Sequence, residues 1–168
     1  MDVVGVAEVV SAVAMLIGFG FAVSEVRLHH GRKSRESALA LLSSYQTPDF
    51  AVAITLLIDL PEGLSKKELE EELGDDMRLI SLLMTTWESL GILTFRKEVS
   101  LDLVSDFFSG PVVLSWKKLG PMVEEMREAA DRHTYFEWFQ WLAERTLEQE
   151  ATVSPVPAHI EHREWNGS

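Results

Sequence analysis

Few side chains in this sequence are spaced for chemistry, and cysteine is absent. That removes thiolate nucleophiles, disulfides and cysteine-ligated zinc or iron–sulfur centres together. The strongest ligand-like histidine, His133, sits just ahead of a helix start. A satisfied polar contact or solvent exposure explains it more simply than a metal. His159, Glu161 and His162 lie close together on a Pro- and Gly-containing terminal stretch, where a stable metal site is not expected. His29 and His30 are neighbours, so on a helix they point in different directions. The acid pairs Asp75/Asp76 and Glu124/Glu125 read as solvated faces. The sequence has no Gly-rich phosphate loop, no paired metalloprotease histidines and no nucleophile elbow. No catalytic residue, cofactor or metal is therefore expected, although an enzyme without a recognisable motif stays open as an alternative.

Charge distribution narrows the partners. The 168 residues carry 15 basic and 27 acidic side chains, for a formal net charge of -12. Residues 27–35 hold Arg27, Arg32, Lys33 and Arg35 and no acid. The remainder from residue 36 holds 24 acids against 11 bases, a net of -13. Such a domain repels phosphate backbones at long range, which argues against broad nucleic-acid binding.

Residues 3–23 read VVGVAEVVSAVAMLIGFGFAV, with Glu8 the one charge. As a helix they rise about 31 Å, close to a hydrocarbon core of roughly 30 Å. The stretch is expected to cross a bilayer, with Glu8 reaching the outer interface. A cleaved leader is not expected, because Asp2 stands where a basic start is usual. The cluster Arg27, Arg32, Lys33 and Arg35 is expected to stay inside the cell and to touch anionic head groups. Ala14, Gly18 and Ala22 fall every fourth residue and would let a second membrane helix approach.

The soluble part reads as helices. Thr47-Pro48 is a cap followed by a first helical position. Phe50–Leu60 is helix-length and apolar, with a strand as the alternative. Ser65-Lys66-Lys67-Glu68 is a capping box, and Gly74 closes that helix. Asp76–Leu90 places Leu79, Ile80, Leu83, Met84, Trp87 and Leu90 at core spacing, with Gly91 as its left-handed terminator. Ile92–Glu98 reads as a loop or a β segment. Ser100–Phe108 reads as a short helix, and Gly110-Pro111 as a break. A further apolar face then runs through Trp116 and Leu119, with Pro121 kinking that helix or opening a new one. Thr134–Glu137 reads as a second capping box for a last helix reaching about Glu150. In that helix Phe136, Phe139 and Leu142 should pack inward. Trp138 and Trp141 project from a partly different side. So many aromatics read first as a thick core junction, with Trp138 and Trp141 as candidate protein-contact residues in the alternative reading.

The expected fold is all-α: one N-terminal transmembrane helix followed by a small cytoplasmic helical bundle. The divisions are an anchor at 1–26, a basic juxtamembrane segment at 27–35, an acidic helical domain at 36–150 and a flexible tail at 151–168. Expected partners are the lipid bilayer and a protein, or a second copy of the chain. The order Ser65–Gly74, Asp76–Gly91, Ile92–Val99 also resembles helix, helix, wing. Its second helix has only Arg78 as a base, which is poor equipment for reading DNA.

The residues Trp87-Glu88-Ser89-Leu90-Gly91-Ile92-Leu93, Val99–Gly110 and Trp116 through Arg127 resemble a bacterial family known as domain of unknown function number 4760. Phe136-Glu137-Trp138-Phe139 and Trp141-Leu142-Ala143-Glu144-Arg145 fit the same pattern. The resemblance spans about residues 3–148. It implies one membrane helix followed by a helical domain and carries no assigned activity. Pro121 and the acidic excess depart from it.

Overall fold

Thr47 is extended, and its Oγ1 accepts from the Phe50 N–H at 3.2 Å. Pro48 follows as a first helical residue without an N–H to leave unpaired. These two residues start α1, Pro48–Asp59, in a computed structural model that describes Tyr45, residues 47–152 and residues 156–167. The described residues lie in one unit, Ser43–Ser168. The proposed span, the bases Arg27, Arg32, Lys33 and Arg35, and the small-residue row Ala14, Gly18 and Ala22 lie outside the described residues.

The described elements are all helical. After α1 come α2 (Lys66–Leu73), a 3-10 turn (Gly74–Asp76), α3 (Met77–Phe95), α4 (Leu101–Ala130), α5 (Glu137–Thr152) and the short α6 (Ala158–Glu161). Among the described residues no helix is long and apolar enough to cross a membrane. The Ser65 capping box forms as expected. Ser65 Oγ accepts from the Glu68 N–H at 3.3 Å, and Glu68 Oε2 accepts from the Ser65 N–H at 2.8 Å. Those Ser65 hydrogen bonds hold the Glu68 carboxyl below the usual glutamate range. Glu125 is not an idle surface acid, because its carboxylate accepts from the Lys66 N–H at 3.0 Å and supports the same helix end.

Packing places α3 against α5 and α1, and α5 against α4. Leu79, Ile80, Leu83, Met84, Trp87 and Leu90 are all buried, as their spacing predicts. They meet Leu57 of α1, Val104, Val112 and Leu119 of α4, and Phe139 and Leu142 of α5 in the core. Burying each such side chain contributes roughly 1.5–3 kcal/mol before entropic costs. Tyr45, Phe50, Trp87 and Phe108 form an aromatic group with ring centroids 4.8–6.4 Å apart. Burial pushes the Tyr45 hydroxyl up to about 12. Trp87 Nε1 donates to Ser115 Oγ at 2.9 Å, and that hydroxyl donates on to the Pro111 carbonyl at 2.6 Å.

Three expectations are corrected here. Gly91 does not end α3, which continues to Phe95; of Ile92–Glu98, expected as a loop or β segment, Ile92–Phe95 are its last turn, while Arg96–Glu98 do form a loop. The wing of a winged-helix arrangement is missing, since only Arg96–Ser100 separate α3 from α4 and no strand occurs among the described residues. The break expected at Gly110-Pro111 does not occur, and no new helix opens after Gly120: α4 runs for 30 residues with both prolines inside it. A proline removes one helical hydrogen bond and crowds the carbonyl four residues earlier. Here the buried row Val104, Phe108, Val112, Ser115, Leu119, Met122 outweighs that cost by remaining continuous through both sites.

Two buried cations tie the helices together. Lys118, 7% exposed, donates from Nζ to the carbonyls of Leu57 (2.9 Å), Ile58 (2.7 Å) and Leu60 (2.6 Å). Its three protons thus serve the C-terminal end of α1, where carbonyls lack helical partners. Arg127, equally buried, donates to Tyr135 O at 2.9 Å, Glu124 Oε1 at 2.8 Å and Gln140 Oε1 at 2.7 Å. Its guanidinium also lies 5.8 Å from the Trp116 ring centroid. This fixes the turn from α4 into α5.

Candidate functional site

Glu88, Gly91 and Phe95 lie three and then four residues apart on α3, so they share one stripe. All three meet the first turns of α5. The Glu88 carboxylate accepts from the Phe139 N–H at 2.8 Å. Gly91 faces the Trp138 backbone, so close that a Cβ would stand 2.8 Å from the Trp138 carbonyl carbon. The Phe95 ring lies 4.7 Å from Trp138 and 5.9 Å from Trp141, centroid to centroid. The two Trp rings are 6.1 Å apart at 69°. Edge-to-face geometry of this kind is favourable for aromatic quadrupoles.

Glu88 does the work that sequence analysis assigned to Thr134, and this is a further correction. Thr134 lies in a turn, and its Oγ1 accepts from Arg132 Nε at 3.4 Å. Phe136 takes a left-handed conformation, φ 51°, and α5 begins only at Glu137. A carboxylate from another helix therefore neutralises the free amides at the start of α5. Nothing local in the sequence marks a cap delivered from 51 residues away.

Burial lifts the Glu88 carboxyl above the ordinary glutamate value of 4.5; the Phe139 and Trp138 amides and Arg127 oppose this, and Glu137 adds to it. The folded chain thus holds the Glu88 proton more tightly than the unfolded chain. Between 4.5 and the raised value, rising pH must remove stability. Urea unfolding of the full chain across this window should show that decline. Glu88→Gln keeps an acceptor and should abolish this part of the slope. Parallel pH profiles for the two proteins would contradict the assignment.

Trp138 and Trp141 are brought together, and both are partly exposed rather than sealed in the core. Phe95, 57% exposed, completes a contiguous aromatic surface that sequence analysis missed because it read Phe95 as loop. The signal was available in the unbroken three-and-four spacing from Leu83 to Phe95. Arg96 and Lys97 follow it directly and are exposed, and neither forms an ion pair among the described residues. His133, His159 and His162 are exposed. Among the described residues no three His, Asp or Glu side chains converge as around a metal ion. The arrangement offers a partly exposed aromatic surface for binding.

No curated protein and no solved structure matches this chain. The family described as Domain of unknown function (DUF4760) matches residues 3–146, which includes α1 through α4 and the first turns of α5 that carry Trp138 and Trp141. The chain belongs to that family.

Proposed function

We propose that the protein is a membrane-tethered interaction module, with its acidic helical domain on the cytoplasmic side and a protein partner held against Phe95, Trp138 and Trp141. The observation that carries this is the half-exposed aromatic cluster. Two tryptophans and a phenylalanine left partly open on fixed helices are the side chains that dominate protein interfaces. Glu88 and Gly91 hold the backbone beneath them, which limits the ordering cost of binding. The tether reading rests on residues 3–23 and on Arg27, Arg32, Lys33 and Arg35, as argued from length and charge.

Fractionation tests the tether. The full chain should stay with membranes after alkaline carbonate washing, and its C-terminal domain should be digested only after the cell interior is opened. Release by carbonate would remove the tether, and digestion from outside would reverse the orientation. Trp138→Ala/Trp141→Ala in the same chain should lose co-purifying protein while keeping its membrane fraction. An unchanged set of co-purifying proteins would contradict the role of the cluster.

A further inference from the structure

We infer that the protein held against the aromatic cluster is a second copy of this chain, docked about a twofold axis; the inference rests on the contact-surface reading above. The argument is the arrangement of charge around the rings. On α5, Glu137, Glu144 and Glu148 lie four residues before and three and seven residues after Trp141, so they share its ridge and are exposed. Arg145 shares it too and pairs with Glu148 at 2.6 Å, which leaves the ridge net negative through Glu137 and Glu144. On the other side, α3 ends at Phe95 and delivers Arg96 and Lys97. Among the described residues, most other bases are already engaged. Lys66, Lys67, Lys117, Arg127 and Arg145 pair with carboxylates, and Lys118 is buried on carbonyls. An adjacent pair of cations outside the ion pairs formed among the described residues thus follows Phe95 directly in a domain whose net charge is -13.

The surface has an apolar centre, a negative flank on α5 and a positive flank at the end of α3. A partner of one sign, such as an anionic bilayer or an acidic peptide, would meet like charge on one flank. A second copy rotated about an axis between the flanks sets each positive flank on the other's negative one and stacks the rings at the middle. Isologous contact needs this self-complementarity, and the two signs are already placed for it.

Charge reversal in the full chain in detergent tests this by sedimentation equilibrium. The wild type should be a dimer. Arg96→Glu/Lys97→Glu should weaken it by about tenfold or more, and so should Glu144→Lys/Glu148→Lys. Mixing these two variants should restore association, because one then has two negative flanks and the other two positive ones. The fourfold variant should also dimerise. Restoration excludes misfolding as the cause of the loss. A monomeric wild type overturns the inference, as does a dimer that neither reversal weakens. If the wild type is monomeric while the double tryptophan variant still loses a different co-purifying protein, the contact reading stands and the second copy falls.

Discussion

Gly91→Ala is expected to destabilise the protein by about 3 kcal/mol, enough to endanger folding in a domain of ordinary stability. In an exposed helix the same change is favourable by roughly 0.5–1 kcal/mol, since alanine loses less backbone entropy. Here the new methyl would press on the Trp138 carbonyl group and stand 3.0 Å from Trp138 Cβ. The obstacle is backbone, so no rotamer change relieves it. That backbone is also held, because Glu88 binds the next amide, the Phe139 N–H. Thermal or urea unfolding should therefore place Gly91→Ala well below the wild type in stability. A stabilised Gly91→Ala would mean that α3 and α5 do not approach as described.

Lys118→Met should cost about 3 kcal/mol or more. The substitution keeps the apolar stem and removes the ammonium. It leaves the carbonyls of Leu57, Ile58 and Leu60 without the donor that reaches all three. A buried acceptor deprived of its partner costs about 1–3 kcal/mol. Three such losses fall at the end of one helix, so α1 should loosen from α4 first. Hydrogen exchange would show this as lost protection over residues 53–60. The neighbouring Lys117→Met is the comparison. Its 2.8 Å ion pair with Glu62 is more than half exposed on both sides, and such pairs contribute about 0–1 kcal/mol. Equal effects at 117 and 118 would refute the anchoring role of the buried lysine.

These two sites also mark where the sequence could be read and where it could not. The caps at Thr47 and Ser65 were legible because a cap is local: donor and acceptor are three residues apart. The core row of α3 was legible because burial follows helical spacing. Gly91 was misread because glycine serves two purposes. It can end a helix through a left-handed conformation, or admit a neighbouring backbone at close range. Only the position of Trp138, far away in sequence, decides between them. The Gly110-Pro111 pair was misread for a related reason. Local propensity favours a break, and the long-range apolar row overrides it. The candidate surface was half legible. Trp138 and Trp141 stood out by type and spacing, while Phe95, Arg96 and Lys97 depended on where α3 ends.

The cap on α5 had no local signature, since its acceptor comes from Glu88 on another helix. The last long helix reaches Thr152, and α6 follows with Ile160 and Trp165 exposed. Those side chains lie outside the family match, which stops at residue 146.

The central proposal is that Phe95, Trp138 and Trp141 form a surface that another polypeptide covers. A photoreactive phenylalanine analogue at position 95, in the full chain in intact cells, measures this directly. Illumination should yield a discrete protein adduct from position 95 and none when the same analogue replaces Glu70, an exposed residue on α2. Equal labelling at both positions, or no adduct from position 95, would contradict the account.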